Sequence, residues 1–216
     1  MTVSAGMERT QPPPSDYQLL LPDGWFRIEL EPERRRQSAD ALVNRQFNGV
    51  DNEPRLRRLL QQELLERATN AFDQGGLELY ISLQRAGTLT IPASLLITLI
   101  PPIRLRERFP SLRELAAELE AEGDERRTIS LVEFGAGTAM KVRVDSDASD
   151  VRAPMANASR ENEIDPLPSV TVDYQLGVPR SDMSLLLTFS TPLVQIGDAM
   201  VELFDAVAGS LRWIGE

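Results

Sequence analysis

This 216-residue chain contains no histidine and no cysteine, the side chains that carry most acid–base and nucleophilic chemistry in enzymes. Imidazole bases, thiolates and disulfides are therefore absent, and carboxylates and carbonyls are left as metal ligands, a set suited to hard cations such as Mg²⁺ or Ca²⁺. Asp23, Asp51, Asp173 and Asp182 fall in turns or on the outer face of a strand, where solvated and turn-forming roles prevail, and no spacing pairs them. A carboxylate dyad assembled only by the fold stays open at this stage. Gly135-Ala136-Gly137 comes nearest to a phosphate loop. It lacks a third glycine, and Met140, Val142 and Val144 continue it as a strand instead of opening a helix, so it reads as a turn. No catalytic, cofactor-binding or metal residue is assigned, and the chain is expected not to be an enzyme.

The cations are skewed: among 23 Lys plus Arg, Lys141 is the only lysine. Arg34-Arg35-Arg36 and Arg55, Arg57 and Arg58 open helices among acidic neighbours and read as solvated faces. The segment joining a strand to a helix after Pro101-Pro102 is different, because it mixes Arg104, Arg106 and Arg108 with Ile103, Leu105 and Phe109. Arginine beside apolar side chains is a mixture that partner-binding surfaces favour, so Ile103, Arg104, Leu105, Arg106, Arg108 and Phe109 form the candidate partner site. The competing reading, that Leu105 and Phe109 pin the loop to the core, stands beside it. A formal charge of −10 disfavours polyanions, which leaves another protein as the expected partner and nucleic acid as an unfavoured one.

The elements that must position these residues follow from periodicity. Val170, Val172, Tyr174 and Leu176 alternate, Gly177 to Asp182 supplies turn formers, and Leu185, Leu187 and Phe189 alternate again, which predicts a hairpin. A helix is expected from Pro192, its stripe formed by Leu193, Ile196, Met200, Leu203, Phe204, Val207 and Leu211. Tyr17 to Leu21 and Trp25 to Leu30 flank Pro22-Asp23-Gly24 as a second hairpin, and residues 129–134 and 139–144 form a third. Helices are expected from Pro32, with Ala39, Leu42, Val43 and Phe47 facing inward, and from Pro54, with Leu56, Leu60, Leu64, Ala68, Ala71 and Phe72. Leu77 to Leu83 and Ala93 to Ile100 read as strands, the latter near the middle of a sheet covered on both faces. Ser111-Leu112-Arg113-Glu114 is a capping box that starts a further helix.

The expected fold is α+β, a largely antiparallel sheet of about seven or eight strands flanked by helices, with a hairpin and a C-terminal helix closing it. Residues 1–15 read as a disordered tail, 16–216 as one domain, and 146–167 as a mobile acidic loop without period. No apolar run approaches the roughly 20 residues that span a bilayer, and no secretory signal is visible, so the expected location is cytoplasmic.

Two further features carry a resemblance. Leu185 to Pro192, followed by a helix ending in Ser210-Leu211-Arg212-Trp213, resembles uncharacterised actinobacterial proteins. More distantly, the opening Leu21-Pro22-Asp23-Gly24-Trp25 and the closing strand, helix and Arg-Trp are similar to the PsbP-like superfamily, which includes a photosystem extrinsic subunit and a Ran-binding import factor. The resemblance implies an α/β/α sandwich that acts by docking onto other proteins. The leading expectation is thus a non-catalytic protein-binding or accessory module, adaptor or chaperone-like, with an actinobacterial secretion or toxin system as its setting. A carboxylate enzyme using a divalent metal and a binder of small apolar ligands are the alternatives, and no cofactor is expected.

Overall fold

Alternating apolar residues build the sheet. The computed structural model describes residues 12–47, 54–87, 89–102, 110–146 and 168–215. Seven strands pair antiparallel in the order β2 (Trp25–Ile28), β3 (Gly76–Ala86), β4 (Leu89–Ile100), β8 (Ser184–Thr191), β7 (Ser169–Gly177), β6 (Gly137–Ser146) and β5 (Arg127–Phe134). β1 (Asp16–Gln18) and β9 (Arg212–Ile214) form a separate two-stranded ribbon. Four helices, α1 (Pro32–Gln46), α2 (Pro54–Asp73), α3 (Leu112–Ala121) and α4 (Gly197–Gly209), complete the described elements. The fold is α+β, with helices on both faces of the sheet.

Register decides which side chains share a face. Leu95, Phe189 and Val172 are cross-strand partners, as are Ile97, Leu187 and Tyr174, so β4, β8 and β7 present one continuous apolar surface. α4 lies on it, inserting Met200, Val201, Phe204, Val207 and Ala208, followed by Leu211. The Phe204 ring stacks on Phe189 at 4.8 Å between centroids, and Tyr174 meets Phe189 edge-on at 5.7 Å. Each fully buried large side chain here contributes about 1.5–3 kcal/mol, which outweighs helix propensity.

The opposite face is divided. α1 and α2 cover its β2–β3 end through Ala39, Leu42, Val43, Leu64, Ala68 and Ala71, packed on Ile28, Leu79 and Ile81. α3 covers the other end through Ala116, with Leu112, Leu115 and Leu119, on Met140, Val142 and Ile129. α3 starts as expected, with the Ser111 hydroxyl accepting from Glu114 N–H and the Glu114 carboxylate accepting from Ser111 N–H.

Three expectations need correction. Tyr17–Leu21 and Trp25–Leu30 do not form a hairpin: β1 pairs with β9 and β2 with β3. Their alternation records burial on the sheet, since Tyr17, Leu19, Leu21 and Trp213 all pack against the α4 core. The last helix begins at Gly197 instead of Pro192, because Thr191 still belongs to β8 and donates to the Pro92 carbonyl at 2.8 Å, with a 3₁₀ turn at Val194–Ile196 intervening. Glycine is required at that start, as a Cβ there would lie 2.9 Å from Val170 Cγ2. Leu193 consequently drops out of the helix, Ile196 is 42% exposed, and β9 closes the chain after α4. The α2 stripe is also narrower than expected, with Leu56 and Phe72 50% and 44% exposed.

Pro12 and Ser15, assigned above to the tail, are hydrogen-bonded to the domain: Arg180 Nε donates to the Pro12 carbonyl (2.7 Å) and Ser15 N–H to that of Ile214 (3.0 Å). Residues 1–11 and the loop expected at 147–167 lie outside the described residues.

Candidate binding cleft

Between the two helical caps of the divided face runs a strip that the described helices cover only at its margins, with Leu96 against the α1–α2 cluster and β7 beside α3. β4 contributes Ser94, Leu96 and Thr98, β8 contributes Leu186, Thr188 and Ser190, and β7 contributes Thr171, Asp173 and Gln175, all by the same register that points their neighbours into the α4 core. Hydroxyls dominate, and all nine side chains are half-buried. At one end the strip opens into a cleft of about 450 Å³ beneath α2. Leu60, Leu64, Ile81, Leu83, Pro92 and Pro192 give it an apolar wall, Ser94, Ser169 and Ser190 a polar floor, and Glu63 with Arg67 a charged rim. Glu63 and Arg67 are paired with each other at 2.7 Å, one helical turn apart.

Asp173 is the one carboxylate of this strip. It stands opposite Thr188 on β8 and Val142 on β6. Thr188 hydrogen-bonds its carboxylate, yet Oδ1 is buried and finds no partner among the described residues. Burial pushes its pKa above the ordinary carboxylate value, and the Thr188 bond opposes that only in part. Its expected solvated role is therefore corrected: α3 and the flanking strands shield the outer face of β7, so off-core alternation does not mean exposure. A shielded, incompletely satisfied carboxylate destabilises the fold, and groups of this kind concentrate at functional sites.

Two further titratable clusters among the described residues lie on the α4 face and satisfy themselves. The Lys141 ammonium donates to both Asp205 oxygens at 2.7 Å, and the Tyr174 hydroxyl donates to Oδ1 at 2.8 Å, which ties α4 to β6 and β7. Burial, then Asp205, raises the Tyr174 phenol far above its usual range and keeps it a donor. Glu78 accepts from Tyr17 at 2.8 Å and Tyr80 at 3.3 Å and pairs with Arg27 at 3.1 Å, joining β1 to the sheet. Among the described residues no group of three or more Asp or Glu is placed to hold a metal ion.

The arginines divide as well. Arg35 donates to the Leu30 carbonyl and to Thr69, and Arg57 to the Phe47 carbonyl, so both staple the chain instead of facing solvent freely. Ile103, Arg104, Leu105, Arg106, Arg108 and Phe109, the candidate partner site, all lie outside the described residues. Sequence reasoning missed the strip for an identifiable reason. Thr171, Asp173, Gln175 and Thr188 alternate with core residues as any solvated strand face does, and only the placement of α2 and α3 makes them a floor.

No family model matches the chain, and no curated protein matches it. Among solved structures, the solution structure of cyanobacterial PsbP (CyanoP) from Synechocystis sp. PCC 6803 matches at 13% identity, covering 91% of this chain and 86% of that one, with a TM-score of 0.33. No helix among the described residues is long and apolar enough to cross a membrane.

Proposed function

We propose that the chain is a non-catalytic protein-binding module whose partner lies along the strip between α2 and α3, with an apolar side chain in the α2 cleft and a cationic one on Asp173. The observation that carries this reading is the Asp173 carboxylate, shielded at mid-strip with an oxygen that no described residue satisfies. To meet a guanidinium or ammonium of the partner the carboxylate turns toward the open side of the strip, and the charge-assisted bond it then makes is of the stronger sort. The apolar wall beside it offers an anchor of the type on which interface energies concentrate. The acidic balance of the chain favours approach of a basic segment.

Selection of a random peptide library on the folded protein tests this. The expected consensus has a large apolar residue and an Arg or Lys a fixed distance away. Asp173→Asn should lower affinity for those peptides by roughly tenfold or more, as loss of a shielded charge-assisted contact does. Ser94→Trp, which fills the floor, should abolish the apolar preference. Peptides that bind both variants as they bind the parent would contradict the reading.

A further inference from the structure

The sheet ends on two unlike edges. β2 has four residues, too short to template another strand, whereas β5 has eight, and its register with β6 runs from Arg127 to Phe134 without a bulge. Natural sheets blunt exposed edges with lysine, proline, bulges or covering segments. β5, Arg-Thr-Ile-Ser-Leu-Val-Glu-Phe, has neither lysine nor proline, and no described strand pairs with its outer side. Leu131, at its middle, is 38% exposed.

The directions of its backbone groups follow from one rung. Asp145 N–H donates to the Arg126 carbonyl across the β5–β6 ladder (3.4 Å), and exchanging pairs recur at every second residue of an antiparallel ladder. Thr128, Ser130 and Val132 therefore bond inward to β6, while the N–H and C=O of Ile129, Leu131 and Glu133 point outward. The Arg127 N–H is occupied by the Asp124 carbonyl (3.0 Å), which leaves its own carbonyl facing out.

We propose that β5 pairs antiparallel with β5 of a second copy of this chain, about a two-fold axis at Ser130, joining two sheets into one. In that register Ile129 stands opposite Leu131 of the second copy, both outward-pointing residues, so each exchanges both backbone bonds. Arg127 then faces Glu133 of the second copy on the same side of the sheet, and the symmetry supplies this opposite-charge pair twice. Shifting the register by two residues in either direction loses the charge match, and shifting by one places inward-pointing groups at the seam. Arg127 now pairs with Glu122 at 2.7 Å, and Glu133 accepts from Thr138. Glu122, Glu133 and Thr138 are exposed, so exchanging these contacts for intermolecular ones costs little. Leu131 of the second copy extends the apolar cluster that Ile129, Met140 and Ala116 form beneath α3.

Light scattering after size exclusion, on the full chain from micromolar to near-millimolar loading, reads the result. The mass should rise with concentration from 24.1 kDa toward twice that value. Arg127→Glu and Glu133→Arg should each weaken association by about tenfold or more, since each turns two attractive cross-strand pairs into repulsive ones. The double variant R127E/E133R should recover it, and Leu131→Lys should abolish it, with circular dichroism melts confirming that every variant is folded. A chain that stays at the single mass throughout overturns the proposal. So does a dimer indifferent to Leu131→Lys and both charge reversals, or one that the double reversal fails to restore.

Discussion

The two faces of the sheet are made from the same three central strands and do opposite things. On the α4 face, β4, β8 and β7 present Leu95, Ile97, Leu187, Phe189, Val172 and Tyr174, each 0% exposed, and α4 seals them together with Tyr17, Leu19, Leu21 and Trp213. On the other face the same strands present mainly polar side chains, Ser94, Ser190, Thr171, Thr188 and Asp173 with Leu96 and Leu186 among them, and the helices cover its two sides. Both sets come from one alternation, so local strand propensity is the same for each. What differs is coverage. A strand face that packs contributes stability, and one left polar between two caps is free to recognise something else.

The largest effect that sharpens this contrast is Phe204→Asp. It buries an unpaired carboxylate against Phe189, and it should abolish cooperative thermal unfolding. Phe189→Ala, which only removes volume, should lower unfolding free energy by about 3–5 kcal/mol in urea melts. If either variant melted like the parent, the α4 face would not be the main core. Next comes the clamp that holds α4 in place. Asp205→Ala strands the Lys141 ammonium and the Tyr174 hydroxyl, and should cost about 3 kcal/mol by the same melts. Lys141→Met combined with Asp205→Leu should recover part of that loss, because an apolar pair leaves only the hydroxyl unmet.

The smallest effects belong to the strip. Thr171→Val and Ser94→Ala should each change stability by no more than about 0.5 kcal/mol, the usual range for sites outside the packed core. A loss of several kcal/mol at either would mean that the strip is structural and the contrast between faces false.

Much of this was legible in the sequence, and the illegible parts share a cause. The β7–β8 hairpin, the α3 capping box and the inward faces of α1 and α4 are local patterns, and their residues carry the signal within a few positions of one another. β1 and β9 pair across nearly the whole chain, so Tyr17 opposite Trp213 has no local signature, and the alternation at Tyr17 to Leu21 points instead to the nearest available hairpin. The start of α4 was misplaced by Pro192, a valid helix opener that here follows a strand whose last residue, Thr191, is held by Pro92. Sequence context places Asp173 in solvent, because its shielding comes from α3 and the neighbouring strands and not from its own neighbours in the chain. The expected partner residues from Ile103 to Phe109 rest on composition alone and lie outside the described residues.

In the proposed reading Asp173 serves recognition at the expense of the fold, a cost that the pH dependence of Asp173→Asn exposes. Burial raises the folded-state pKa above the unfolded value, so the native protein holds the proton more tightly. Parent stability is then full below the ordinary carboxylate value of about 3.9 and falls as pH rises through the raised one. Asparagine carries no charge to desolvate. Thermal melts should show Asp173→Asn matching the parent at low pH and exceeding it in Tm at pH 7. An asparagine variant that is less stable than the parent at pH 7 would show that the carboxylate holds the fold together, and would contradict the account.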